Sequence, residues 1–314
     1  MPDRSTVCRA LGFAAGLTIA LSAWIIATPL VAQQPQPWLN SPLGAGSQPV
    51  FPFFEGWYDN GDGTYTISFG YLNRNADQVV EIPLGERNYI EPAEFDGIQP
   101  THFLPARNRG MFAITIPASR RDLDIWWHLT DERGNVYKVP GRARADGYQL
   151  DWLPRPHGSQ PPWMWFTSES DARRGPEGVY APEALTARVG QRLELSVQVR
   201  DPSVYDATDP RFRNGIPVNV SWSKYRGPGA VTFERHASHP DDQRPTARGR
   251  GAPPPGLDAV ALPQGGGTAR VHATFSAPGE YVVRAEANNW NAPDSQSIDQ
   301  CCWSNAYVRV RVTP

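Results

Sequence analysis

The chain has 314 residues, with 30 Lys and Arg against 32 Asp and Glu and a formal net charge of −2. A balance this even excludes the electrostatic footprint of a nucleic-acid or anionic-membrane binder. Its 32 prolines and 28 glycines are spread too evenly for long helices.

Arg4 and Arg9 precede an uncharged apolar run from Ala10 to Ile26, which Thr28-Pro29-Leu30-Val31-Ala32 closes on a small residue. This is the layout of a signal peptide over residues 1–32, and the mature protein is expected to be periplasmic or secreted. The run approaches the roughly 17–20 residues that span a bilayer, so an uncleaved anchor stays open. Cys8 lies before the run and cannot be a lipoprotein acceptor. Residues 33–50, rich in Gln, Pro, Gly and Ser, read as a linker, and enough chain remains for two domains.

The first domain is expected over 51–168. Tyr65, Ile67, Phe69 and Tyr71 alternate along one strand face, after a turn at Asp59-Asn60-Gly61-Asp62-Gly63. The acidic spacing of that turn fails as an EF-hand, because Gly70 stands where the twelfth-position glutamate is needed. Further short strands follow at Val79–Leu84, Thr101–Leu104, Gly110–Ile116, Leu123–Leu129, Val136–Val139 and Tyr148–Trp152, a pattern that predicts a β-sandwich. In Ile125-Trp126-Trp127-His128-Leu129 neighbours point to opposite faces, which puts Trp127 in the core and Trp126 outside. Trp152, Trp163 and Trp165, with prolines between them, offer either a stacking surface for a flat ligand or packing at a domain boundary; the position favours packing.

After a charged junction at 169–176, the second domain is expected over 177–314. Leu193–Arg200 alternates cleanly, Val218–Trp222 places Trp222 where a sandwich often buries one, and Tyr307–Val312 sends Arg309 and Arg311 to water. The Pro, Gly, Asp and Arg tract at about 240–267 reads as a disordered loop. Pro278-Gly279-Glu280-Tyr281, entering the penultimate strand, resembles the bacterial Ig-like and polycystic-kidney-disease-type domains of exported proteins, and implies that Tyr281 forms a tyrosine corner. Phe54-Glu55-Gly56-Trp57-Tyr58, Gln99–Pro105 and Cys301-Cys302-Trp303 are similar to segments of two-domain secreted bacterial proteins, a resemblance that implies no activity.

Serine-hydrolase, zincin, Walker A and dinucleotide motifs are absent from the sequence. His236 and His239, near carboxylates, are weak metal candidates at the mouth of a tract read as disordered. Glu55 and His102 are speculative polar site residues, His102 lacking an evident orienting partner. Trp57, Trp126, Trp152, Trp163, Trp165, Cys301, Cys302 and Trp303 are the ligand-binding candidates. The adjacent cysteines fit a strained vicinal disulfide, two thiols with little role, bonds to a second chain, or a soft-metal site; an oxidising compartment favours the first. They are expected in a loop before a last strand beginning near Tyr307.

The expectation is an all-β protein of two tandem antiparallel β-sandwiches, the second Ig-like. It would act as a non-catalytic binding or structural protein whose partner is a glycan, a surface polymer or another exported protein, with no cofactor. The alternative is an enzyme or metal protein with its site between the domains, using Glu55, His102 and the Cys302 region.

Overall fold

A computed structural model describes residues 48–155, 158–210, 216–239, 258–263, 265–289 and 302–314. The predicted signal peptide and Cys301 lie outside them. The fold is all-β. In chain order the strands are β1 (Val50–Asp59), β2 (Thr64–Asn73), β3 (Val80–Glu81), β4 (Asn88–Glu91), β5 (His102–Phe103), β6 (Ala106–Pro117), β7 (Ile125–Thr130), β8 (Val136–Gly141) and β9 (Gln149–Leu150). They continue as β10 (Trp163–Trp165), β11 (Val179–Tyr180), β12 (Leu185–Arg188), β13 (Arg192–Arg200), β14 (Val218–Arg226), β15 (Val231–Arg235), β16 (Asp258–Leu262), β17 (Gly266–Phe275), β18 (Gly279–Asn288) and β19 (Trp303–Thr313).

In the N-terminal half, a sheet ordered β6-β2-β1-β9 faces a second ordered β4-β7-β8. Ile67 and Phe69 from one and Ile125, Trp127 and Leu129 from the other close the core between them. Trp127 is fully buried, as the alternation predicts, and its indole N–H donates to Asn88 Oδ1 at 3.0 Å. The turn before β2 uses its acids internally: Asp59 accepts from the Gly61 N–H and Asp62 from the Thr64 N–H, so both aspartates hold the hairpin.

In the C-terminal half, a sheet ordered β10-β13-β17-β15 packs on one ordered β11-β19-β18-β14-β16, with β12 also pairing β19. Leu195, Val197 and Val199 of β13 and Ala269, Val271, Ala273 and Phe275 of β17 point inward with the period of two that a half-buried strand requires. Trp222 is fully buried among them. The Tyr281 hydroxyl donates to the Ala277 carbonyl at 2.8 Å and accepts from the Gly229 N–H at 2.9 Å. That is the tyrosine-corner contact of Ig-like sandwiches.

Three boundaries differ from the sequence reading. Trp163–Trp165, grouped there with the first domain, pairs with β13 in the second sandwich. Asp258–Leu262, read as part of a disordered tract, pairs with β14 because Val260 and Leu262 supply an apolar face. The last strand begins at Trp303 rather than near Tyr307, since Trp303 pairs with Asn288.

The two sandwiches meet along a seam. β14 is irregular between Lys224 and Arg226, so the intervening Tyr225 leaves its own sheet's pattern and joins the N-terminal core, where its hydroxyl donates to Ile98 O at 2.7 Å. Tyr307 joins the same core and donates to Met111 O at 2.8 Å. Burial pushes both phenols well above the ordinary tyrosine range, which keeps them protonated donors. Asn305 completes the seam by donating to Gly110 O at 2.7 Å and Pro176 O at 2.9 Å.

Replacing Tyr281 by Phe removes a donor and an acceptor at a buried corner. Urea unfolding is expected to show a loss of about 1–3 kcal/mol.

Candidate binding cleft around Glu55

The two strands that flank β2 are distorted at one place. In β1, Phe54 pairs with Phe69 and Gly56 with Ser68, which leaves Glu55 as an extra residue. In the adjoining pair, Phe69 faces Phe112 while Tyr71 faces Asn108, so Arg109, Gly110 and Met111 lie opposite Gly70 alone. Bulges re-aim side chains and recur beside functional sites. Here they turn Glu55 toward β6, where its carboxylate meets Arg107 at 2.7 Å and Arg109 at 3.6 Å. The Glu55 side chain is only 2% exposed, so this arginine pairing offsets an otherwise costly buried charge. Gly70 makes the approach possible, because a Cβ there would stand 2.1 Å from Glu55 Oε1 and 2.5 Å from Asn108 O.

Glu55, Arg107 and Arg109 form one wall of a cavity of about 560 Å³, within the range of small-ligand sites. Phe53, Phe54, Arg142 and Tyr148 contribute the rest of its character. The Arg107 guanidinium lies 3.9 Å from the Phe53 ring centre. Burial holds Arg107 below the usual arginine range despite the opposing pull of Glu55. Tyr148 packs 5.1 Å from Phe54 and remains 55% exposed at the mouth. Arg142 is forked onto Asp124 through Nε at 3.1 Å and Nη2 at 3.0 Å.

The other predicted residues do not converge there as a set. Trp57 is a core residue whose indole donates to Ala145 O at 2.9 Å, so it offers no stacking face. Trp126 is partly exposed, with Lys138 at 4.9 Å and Arg142 at 5.8 Å over its ring. Trp152 stacks on Tyr58 at 4.0 Å, and the Arg174 guanidinium lies over both Trp152 and Trp163. These rings pack the boundary instead of presenting a free surface. Trp165 is half-buried in β10. Trp303 is buried with its indole against Gly110, where a Cβ would lie 2.6 Å from Nε1. Cys302 is fully buried and disulfide-bonded, and Cys8 and Cys301 lie outside the described residues. Cys302 lies just before β19, where a loop was expected, but it is buried, and Trp303 is buried as the first residue of the strand.

His102 does have a partner. Its Nδ1 lies 2.6 Å from Glu81 Oε1, which also meets the Lys224 ammonium at 2.6 Å across the seam. Lys224 is nearly buried and additionally donates to Gly227 O and Gly229 O. Burial would raise the Glu81 carboxyl, but the hydrogen bonds and charges of His102 and Lys224 outweigh it and hold the group below its ordinary value. Glu81 also borders a seam cavity of about 740 Å³ shared with Thr101, Arg226, Tyr281 and Arg309.

His236 comes together with Glu194 and His272, their ligand atoms within 4.8 Å of one another. His239 does not join them; its Nε2 accepts from the Arg270 N–H at 2.9 Å. Ser238 N–H donates to His236 Nδ1 at 3.1 Å and Arg192 reaches His272 Nδ1 at 3.2 Å. In the neutral rings those bonds place the protons on Nε2, so metal binding through Nε2 would require both rings to switch tautomer and break them. Arg270, 3.3 Å from Glu194 Oε1, competes for the carboxylate. The arrangement fits a charged surface lattice better than a metal centre.

Sequence reasoning found Glu55 but not Arg107 and Arg109. Their spacing was the available signal, since alternate residues of a strand share a face.

No protein-family model matches the chain, and no curated protein matches it. Among solved structures it is similar to a conjugative transposon lipoprotein from Bacteroides eggerthii DSM 20697, at 11% identity and TM-score 0.22 over 43% of this chain and 92% of that one. It is similar to the D00-D0 domain of intimin at 12% identity and TM-score 0.24, over 83% of this chain and 99% of that one. A serine-rich repeat protein, Srr2, from Streptococcus agalactiae aligns at 9% identity and TM-score 0.25, over 83% of this chain and 92% of that one. Overlaps this poor carry no argument; the Ig-like character of the second sandwich rests on its sheets and its tyrosine corner.

Two outcomes are expected. Gly70→Ala drives a methyl into the Glu55 carboxylate and the Asn108 carbonyl, and unfolding titrations should show a loss of about 3 kcal/mol or more as the buried pair breaks. Glu81, whose carboxyl is held below 4.5, stabilises the fold above that pH, and this contribution fades as pH falls through the lower folded value. Urea midpoints should therefore drop on acidification below about pH 5, and Glu81→Gln should flatten that decline.

Proposed function

We propose that this is an exported protein that binds a glycan or surface polymer without transforming it, through the cleft at Glu55. The observation that carries this reading is the makeup of the cleft: one carboxylate committed to two arginines, with aromatic rings at the floor and mouth. Glycoside hydrolysis uses two carboxyl groups flanking the scissile bond, and the cleft lining supplies one. A tyrosine at the mouth suits stacking against a sugar ring. Export is supported by the signal-peptide layout of residues 1–32. No helix among the described residues is long and apolar enough to cross a membrane. On the same reading, Cys302 is bonded to Cys301, and an unreduced peptide carrying both should be two hydrogens lighter than its reduced form.

The test is retention of the purified protein on a panel of immobilised polysaccharides. Tyr148→Ala is expected to weaken retention about tenfold, the equivalent of about 1.4 kcal/mol. Release of reducing ends that disappears in Glu55→Gln would replace the binding reading with a catalytic one.

A second reading draws on the seam, where His102, Glu81 and Lys224 converge beside the larger cavity. Such a cluster could place a base at a domain interface. Its groups are spent on one another, which makes the cluster a brace between sandwiches first. Turnover of any substrate that His102→Asn abolishes without lowering the unfolding midpoint would favour this second reading.

A further inference from the structure

The charges of the Glu55 cleft do not cancel. Arg107 and Arg109 face a single carboxylate, and Arg142 brings a third guanidinium. Arg107 holds Glu55 at hydrogen-bond distance, and Arg142 turns its fork to Asp124. Arg109 approaches Glu55 Oε2 only to 3.6 Å, too far for a hydrogen bond. It keeps 29% of its side chain exposed. The planar guanidinium of Arg109 is thus the most loosely paired of the three in the cleft lining, and it stands within reach of solvent.

We infer that the cleft selects an acidic sugar unit, with Arg109 taking its carboxylate or sulfate group while Tyr148 stacks on the ring. This rests on the reading of the cleft as a glycan site and adds the charge class of the ligand. Arginine presents two parallel N–H donors matched to a planar carboxylate and equally able to clasp a sulfate. A neutral sugar closing over the cleft would strip water from Arg109 and return no acceptor of equal strength, so the same residue that attracts an acid disfavours a neutral chain. Phe53 and Phe54 line the floor and keep the arginines in a partly desolvated setting, where charge-assisted bonds are stronger than in open water.

Binding by isothermal titration to polygalacturonate oligomers, dextran sulfate and neutral dextran tests the inference, using the wild-type protein with Arg109→Ala, Arg109→Lys and Tyr148→Ala. One or both acidic polymers should bind, and the carboxylate and sulfate arms show which group is preferred. Arg109→Ala should lose about tenfold or more in affinity, Arg109→Lys should recover part of it, and added salt should weaken the wild type more than Arg109→Ala. Urea midpoints confirm that each variant is folded; if Arg109→Ala is not, Arg109→Lys carries the comparison through its reduced affinity. Dextran binding as tightly as the acids, and weakened by Tyr148→Ala, would overturn the charge class while leaving the cleft a glycan site. Acidic polymers bound equally by all three variants would overturn both, placing binding elsewhere. Absence of binding to all three polymers would likewise count against both.

Discussion

The seam between the sandwiches is the contact on which the rest of the structure depends. A β-sheet in an isolated sandwich buries one face and wets the other. The sheet containing β14, β18 and β19 buries one face against its own partner sheet and part of the other against the N-terminal half, leaving Arg309 and Arg311 exposed. Tyr225 and Tyr307 enter the neighbouring core as whole side chains, each worth about 1.5–3 kcal/mol of apolar burial. Their hydroxyls donate to the backbone carbonyls of Ile98 and Met111, so the buried phenols bring their own polar atoms to partners. The described body from residue 48 onward is accordingly one compact unit rather than two beads on a string.

That arrangement and the cleft are connected through β6. The residues Arg109, Gly110 and Met111, which the bulge releases from regular pairing, serve two masters. Gly110 and Met111 give their carbonyls to Asn305 and Tyr307 at the seam. Arg109 turns the other way, toward Glu55. The C-terminal sandwich therefore braces the strand that carries Arg109, which holds the cleft wall on a rigid element and not on a loop. Gly110 also accepts the Trp303 indole against its backbone, and that close approach needs a residue without a side chain.

Much of this was legible in the sequence where periodicity is clean. β2, β13 and β17 alternate without interruption, and the burial of Trp127 and Trp222 follows from parity alone. β1 was not legible, and the bulge at Glu55 is the reason. Val50, Pro52 and Phe54 pack on one side before it and Trp57 after it, so the period of two changes phase midway and no single template fits the run. The cleft was half legible for a related reason. Glu55 stands out as an acid among aromatics, but its partners belong to a strand far along the chain, and pairing between distant strands is a tertiary fact. The start of the last strand was not legible, because pairing with β18 extends it back to Trp303, ahead of the point where apolar alternation begins.

β19 has a consequence for how the molecule is made. It pairs β18 on one edge and β11 and β12 on the other, lends Tyr307 to the N-terminal core, and lends Asn305 and Trp303 to the seam. Of the described strands it is also the last to be synthesised. Both halves therefore complete their cores through one strand, so a change in β19 is felt in the two sandwiches at once.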